Sequence, residues 1–314
     1  MDAVIIGIDV AKDKLDVAFR PSGEHFVVGR DSAGIEGLIV RIKSCTVAVI
    51  GLEATGGLET MVAASLSAAG LPVVIVNPAQ VRAFANALGK RAKTDVIDAR
   101  VIAHFIEATK PAVRPLPDEA TRQLGDLVGR RSQIIAMIGA EQQRKKRCAN
   151  KRLLASIERL LAALQKELSD IDRLVRDTVR SSDIWREKDE LLESVPGVGR
   201  VISARLLADM PELGKLGRRQ IAALAGLAPW TRESGQWKGK SFIGGGRADV
   251  RSDLFMGAMV AIRHNPVLKL FYERLLAAGK PKMVAIVAVA RKLLTILNAI
   301  LRDGKPWQME QANA

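Results

Sequence analysis

The sequence predicts an α/β domain on a mixed sheet, followed by two helical segments. Three observations predict it. Short apolar runs of strand length alternate with stretches of helical spacing through the first 110 residues. Pro111, Pro115 and Pro117 then break the pattern. Beyond them Ile157, Leu161, Leu164, Leu168, Ile171, Val175 and Thr178 recur at alternating steps of four and three, the seam spacing of helices that pack side by side. The expected division is 1–112, an α/β domain; 113–192, a helical, coiled-coil connector; and 193–314, a mostly α-helical C-terminal domain.

Each element has a local reason. Ala3 to Asp9 is an apolar run that ends in an acid. Lys14 to Phe19 and Glu24 to Val28 alternate apolar and polar residues about a Pro21-Ser22-Gly23 turn. Ile35 to Ile42 has helical spacing, Thr46 to Leu52 reads as a strand ending at Glu53, and Leu58 to Ala69 as a helix. Pro72 to Val76 is a strand, Pro78 to Ala87 a helix with proline at its start, and Asp95 to Thr109 a further helix. In the last domain, Val195-Pro196-Gly197-Val198-Gly199-Arg200 leading into an apolar helix reads as a helix-hairpin-helix. Asp253 to Ile262 and Met283 to Leu301 are helical, and Gly226 to Arg251 is a Gly-rich, basic, aperiodic segment.

Charge narrows the function classes. The chain carries 48 Lys and Arg against 34 Asp and Glu, a net charge of +14. The first 110 residues are balanced at 12 of each sign, whereas residues 200–314 hold 19 basic and 8 acidic side chains. Such asymmetry points to a polyanion, because cationic side chains release condensed counterions when they pair with phosphates. Aromatic residues are only 4 % of the chain, which argues against broad base-stacking platforms. Cys45 and Cys148 lack metal-ligand or framework spacing. No uninterrupted apolar run reaches the ~20 residues of a membrane span, and the opening residues lack the basic start of a signal peptide, so a cytoplasmic protein is expected.

Four acids stand at element ends. Asp9 and Glu53 close strands, and Asp95 and Asp98 share one side of a helix start. Each alone could be a turn or capping residue. Together they form the hard-oxygen set that divalent cations need for phosphoryl transfer, and such a cluster implies Mg²⁺ or Mn²⁺ to offset its repulsion. In the C-terminal domain, Gly197, Gly199 and Arg200 suit a phosphate at a helix start. Arg232, Lys238, Lys240, Arg247 and Arg251 are candidate phosphate ligands in the basic segment. Ser234 stands among them with no histidine near in sequence; His25, His104 and His264 read as structural or surface residues, so a protease-like triad is not supported.

The motifs around these residues carry a resemblance. Gly7-Ile8-Asp9-Val10-Ala11-Lys12, Glu53-Ala54-Thr55-Gly56-Gly57, Asn77-Pro78 and Lys93-Thr94-Asp95-Val96-Ile97-Asp98-Ala99 together resemble the RuvC-like (ribonuclease H superfamily) domain of the DEDD transposases of bacterial insertion sequences. That family includes bridge-RNA-guided recombinases and pilin-gene invertases. Leu224-Ala225-Gly226-Leu227-Ala228-Pro229, followed by Glu233-Ser234-Gly235, resembles its second domain. The chain departs from the family pattern at Leu58, where an aromatic residue is usual, and at Gly245, where a basic one is common. The resemblance implies catalysis by Asp9, Glu53, Asp95 and Asp98 with Mg²⁺, and a nucleophilic Ser234. It also implies double-stranded DNA as substrate, a non-coding guide RNA, and a homo-oligomer, dimer or tetramer. An RNA-independent invertase and a RuvC-like junction nuclease are the alternatives.

Overall fold

The computed structural model describes residues 3–90, 92, 94–113, 116 and 118–308. Lys93, Pro115 and Pro117 lie outside them, as does the side chain of Lys238. The chain forms two compact units, Met1–Leu116 and Pro117–Ala314.

The first unit contains β1 (Val4–Val10), β2 (Lys14–Arg20), β3 (His25–Gly29), α1 (Ser32–Lys43), β4 (Val47–Glu53), α2 (Leu58–Ala68), β5 (Val73–Val76), α3 (Pro78–Ala87) and α4 (Asp95–Thr109). Its strands line up as β3-β2-β1-β4-β5. β1, β4 and β5 run parallel, while β2 pairs antiparallel with both β1 and β3. The expected mixed sheet is therefore present, with helices on both faces.

Strand alternation assigns the two faces. Ile6, Ile8 and Val10 of β1, Leu15, Val17 and Phe19 of β2, and Ile50 and Leu52 of β4 share one core with Ile35, Leu38 and Ile42 of α1 and Val62 and Leu66 of α2. Val74 and Val76 face the other way and pack with Val81, Val101, Ile102, Phe105 and Ile106 of α3 and α4. On that second face β1 and β4 place glycines side by side, Gly7 in register with Gly51. A Cβ on Gly7 would overlap the Ala99 carbonyl oxygen and the Ala103 nitrogen of α4, and one on Gly51 would overlap the Ile106 side chain. The paired glycines thus let α4 lie directly on the sheet.

The second unit contains α5 (Glu119–Arg147), α6 (Lys151–Arg180), α7 (Asp183–Glu193), α8 (Arg200–Asp209), α9 (Arg218–Leu224), the two-stranded β6 (Glu233–Ser234) and β7 (Trp237–Lys238), α10 (Ala248–His264), α11 (Pro266–Ala277) and α12 (Lys282–Asp303). α5 and α6 pack against one another, joined through Cys148 and Asn150, whose side chain caps α6. On α6 the seam residues Leu161, Ile171 and Val175 are buried. The segments expected as connector and C-terminal domain share one core, in which Leu124, Val128, Ile171 and Val175 meet residues of α8, α10 and α12. Arg205 of α8, nearly fully buried, ties that core together: it donates to Asp209 at 2.9 Å, to Asp253 of α10 at 3.0 Å and to Ser132 of α5.

One sequence expectation changes here. α11 was not foreseen; Asn265 caps it and Pro266 is its first residue. α12 is long and apolar enough to cross a membrane by length and composition, although Arg291 and Lys292 interrupt its apolar run. Its apolar content has another cause. Ala285, Val289, Ala290, Leu293, Leu294 and Leu297 are fully buried in the core of the unit.

Candidate functional site

The sheet register brings the first two acids together. Gly7 pairs with Gly51 and Ile8 with Leu52, so Asp9 and Glu53 leave neighbouring parallel strands at the same level. Both lie two residues beyond the paired glycines, and so on the α4 face. α4 begins over that end of the sheet. Thr94, not Asp95, is its N-cap, accepting from the Ile97 amide. Asp95 and Asp98 occupy the first helical turn, where the helix dipole favours negative charge. The carboxyl of Asp9 is pushed up to about 6, first by burial and then by the charges of Asp98, Asp95, Glu53 and Asp16. The four predicted acids therefore act on one another electrostatically.

Three further residues belong to this end of the sheet, and sequence reading missed them. Asp16 pairs directly across from Asp9 and is 1 % exposed. It forms an ion pair with Lys14 Nζ at 3.0 Å and interacts with His25 Nε2 at 3.0 Å. Lys14 Nζ also stands 2.7 Å from Asp95. The hydrogen bonds to Asp95 and Asp16 raise the Lys14 pKa. The signal was present in the alternation of Lys14, Asp16 and Arg20 along one strand. It read as a solvated face, and only α4 turns that face inward.

The Glu-Ala-Thr-Gly-Gly motif also acquires a physical reason. One oxygen of Glu59 accepts from the Thr55 amide at 3.0 Å, the Thr55 hydroxyl at 3.1 Å and the Gly57 amide at 2.9 Å. Burial raises the Glu59 pKa, and these donors outweigh it, holding the carboxyl below its ordinary value. Gly56 and Gly57 adopt φ of +73° and +107°, which glycine reaches without strain. Glu59 thereby fixes the turn that follows Glu53.

The donor set suits a hard divalent cation. Four carboxylates, one with its proton affinity raised by burial and then by the others, form a negative cluster that Mg²⁺ or Mn²⁺ would relieve. Among the described residues no three potential ligands converge at ligating geometry. Lys14 instead supplies positive charge at Asp95.

Ser234 sits elsewhere, in the second unit. It pairs with Trp237 across a tight antiparallel turn whose first central residue, Gly235, has φ +58°. Ser234, Arg232 and Lys240 are exposed. Arg247 and Arg251 are engaged within the fold. Arg247 makes a two-pronged contact with Glu212 at 2.7 and 2.8 Å. Arg251 donates to the carbonyls of Gly245 at 2.6 Å and Ala225 at 3.3 Å. Both therefore brace the segment around Ser234. Gly197 likewise has an internal reason: at φ +107°, a Cβ there would lie 2.5 Å from that of Ala261 in α10. Gly199 caps α8 with open space beside it, and Arg200 is exposed at the first helical position.

Comparison with known proteins gives one consistent answer. Residues 6–153 match a family described as Transposase, of DEDD type, and residues 189–273 match the Transposase IS116/IS110/IS902 family. The chain is 28 % identical to the pilin gene-inverting protein of Moraxella bovis, over 98 % of each chain. It is also 28 % identical to that of Moraxella lacunata, again over 98 % of each. An uncharacterized 42 kDa protein of insertion element IS900 from Mycobacterium paratuberculosis is 32 % identical over 48 % of this chain and 38 % of its own. The first match covers the four carboxylates and runs on through α5 into α6, the second covers the serine, and the chain belongs to the IS110/IS116/IS902 family of transposases.

Proposed function

We propose that the chain is a metal-dependent DNA recombinase that breaks and rejoins strands through a phosphoserine link. The observation that carries this reading is the register of the first unit. Asp9 and Glu53 leave adjacent parallel strands at one level, on the face that the first turn of α4, with Asp95 and Asp98, approaches. The strand order of the sheet supports a ribonuclease H-like, RuvC-like domain. The packed pair α5 and α6 supports a coiled-coil-like arm, and the Gly197–Gly199 turn between α7 and α8 supports a helix-hairpin-helix.

When bound, Mg²⁺ or Mn²⁺ would neutralise the carboxylates and polarise a phosphodiester oxygen. Asp9, Glu53, Asp95 and Asp98 would hold it, and Lys14, paired with Asp95, would balance part of the remaining negative charge. Ser234 Oγ attacks phosphorus. The Oγ–P bond forms as the strand's P–O bond breaks; the serine proton leaves, and the departing oxygen takes one up. A hydroxyl of a second strand later reverses the exchange, so bond energy is conserved and no nucleotide cofactor is needed. Arg232 and Lys240, with Lys238 in the same segment, approach the phosphate backbone. The partners are double-stranded DNA, further copies of the chain as a dimer or tetramer, and a guide RNA. The site of action is the cytoplasm.

A second reading has its own support. Similarity to pilin gene-inverting proteins runs over nearly the whole of both chains, which fits site-specific DNA inversion, for which an RNA-independent reaction is the alternative. One assay separates these readings. Full-length protein is incubated with Mg²⁺, co-purified RNA and flanking element DNA, and covalent adducts are resolved on denaturing gels. The adduct is expected with the native chain and absent with Ser234→Ala and Asp9→Ala. Cutting that survives Ser234→Ala would instead indicate a water-using junction nuclease. Recombination that survives ribonuclease favours the invertase.

A further inference from the structure

The hairpin that carries Ser234 also presents rings to solvent. Among the described residues the exposed aromatic side chains are Trp230, Trp237 and Phe242, at 55, 61 and 56 % exposure. All three lie in the short segment centred near Ser234. Low aromatic content along the whole chain concealed this concentration.

Backbone pairing fixes where the rings stand. Trp230 and Phe242 exchange both backbone hydrogen bonds, at 2.9 and 3.1 Å, so their side chains are directly opposite. Ser234 is directly opposite Trp237. Opposed residues in an antiparallel pair project to the same face, so the Trp237 indole and the Ser234 hydroxyl share one face of the ribbon. The indole folds back along that face, because a Cβ on Gly239 would lie 2.5 Å from its Cη2 atom. The Gly239 amide donates to the Arg232 carbonyl at 3.0 Å, which continues the ladder and places Arg232 on the face of Ser234 and Trp237.

The surroundings select the occupant. Apart from Trp237, every residue from Thr231 to Ser241 is polar, charged or glycine. A protein-docking surface would carry a contiguous apolar patch. Trp237, a single ring among polar residues and exposed cations such as Arg232 and Lys240, instead matches nucleic acid, in which bases offer π-faces and phosphates offer charge. A paired, stacked base exposes no such face, so a ring beside the nucleophile requires a base taken out of the stack.

We infer that Trp237 stacks on an unpaired nucleobase of the DNA strand, next to the phosphate that Ser234 attacks, and so holds that strand locally open. The inference rests on the reading of Ser234 as the nucleophile. Trp237 is a positioning residue: it sets where the strand lies relative to Oγ and takes no part in bond exchange.

The test measures binding without chemistry. Full-length protein in a Ser234→Ala background is titrated against fluorescein-labelled DNA duplexes of one mixed sequence, either fully paired or with a central one-nucleotide bulge. An RNA duplex with the same bulge is the third probe. Stacking of one base contributes enough for about tenfold tighter binding of bulged over paired DNA. Trp237→Ala is expected to abolish that preference and Trp237→Phe to retain most of it. The salt dependence of binding should be unchanged in both. Arg232→Ala, by contrast, should weaken both duplexes and lower the salt slope by about one. A Trp237→Ala protein that keeps the preference overturns the inference, as does a preference confined to the RNA bulge. A change in sedimentation with unaltered DNA binding would overturn it in favour of contact with a second copy. Bulge preference without a covalent adduct in the gel assay would leave the stacking site standing and remove the nucleophile reading; an adduct without bulge preference would do the reverse.

Discussion

The carboxylate end of the first unit and the serine hairpin of the second are built in opposite ways. Asp9 and Glu53 are half-buried and fixed by strands in the middle of a sheet, and a helix packed on glycine covers their face. Ser234 is exposed on a two-residue strand, and a single tight turn defines its place. One site is maintained by long-range packing and strained by like charges. The other is maintained locally and leaves the Ser234 hydroxyl exposed to solvent. The contrast agrees with the proposed division, in which metal ligands need rigidity and a nucleophile that must engage DNA needs access.

Substitutions can break this contrast in graded steps. The largest effect is expected from Gly7→Ala. Its Cβ would meet α4 backbone, which cannot yield as a flexible side chain does, so a loss of about 3 kcal/mol or more is expected. Urea titration should show the first unit unfolding early while the second is unchanged.

Asp9→Asn probes the cost of burying a charge beside like charges. Without a divalent cation it should raise the melting temperature, by about 5 °C on the usual scale for a unit of this size, and it should remove the stabilisation that Mg²⁺ gives the native chain. The sign follows from proton linkage. The folded-state pKa of Asp9, about 6, lies above its ordinary value of 3.8. The folded protein holds the extra proton between those values, so the contribution of Asp9 falls as pH rises through that window. Thermal scans with chelator across the window test this, and a flat profile would count against the raised pKa of Asp9.

Glu59→Gln sharpens the comparison within the same unit. Glu59 has a lowered folded-state pKa, so its contribution is present above the ordinary carboxylate value and lost as pH falls through the folded one. Weakening its contacts with Thr55 and Gly57 should cost about 2 kcal/mol. It should also weaken Mn²⁺ binding, measured calorimetrically, through the turn that follows Glu53.

The smallest stability effects are expected at the hairpin. Gly235→Ala places a side chain at φ +58° with open space around it, at a cost of about 1 kcal/mol. That cost should appear as faster hydrogen exchange at the Gly239 amide, with the overall melting temperature unmoved. Ser234→Ala should change stability by less than about 0.5 kcal/mol while abolishing the adduct.

Much of the first unit was legible in the sequence because its strands and helices have clear periods and punctuation. Pro78–Ala87 and Asp95–Thr109 were read with the ends the structure gives them. Asp16 was not legible as a buried acid. Its strand alternates in the manner of one with a wet face, and burial came from a helix about eighty residues later. α11 was missed because a proline next to Asn265 reads equally as a turn. Arg247 and Arg251 read as phosphate ligands because charge is visible in sequence, whereas their partners, Glu212 and the loop carbonyls, lie far away along the chain or in its backbone.

The sequence by itself determined the alternation of elements, the order of the acids, the basic second half and the motif around Ser234. These are local properties, written in spacing and residue type. The tertiary structure decided which face of the sheet the acids share, that Lys14 and Asp16 belong with them, that Gly7 and Gly51 admit α4, and that Trp237 stands beside Ser234. Those outcomes depend on register and on close packing between distant segments. A shift of one residue in strand pairing would move every side chain of the strand to the opposite face.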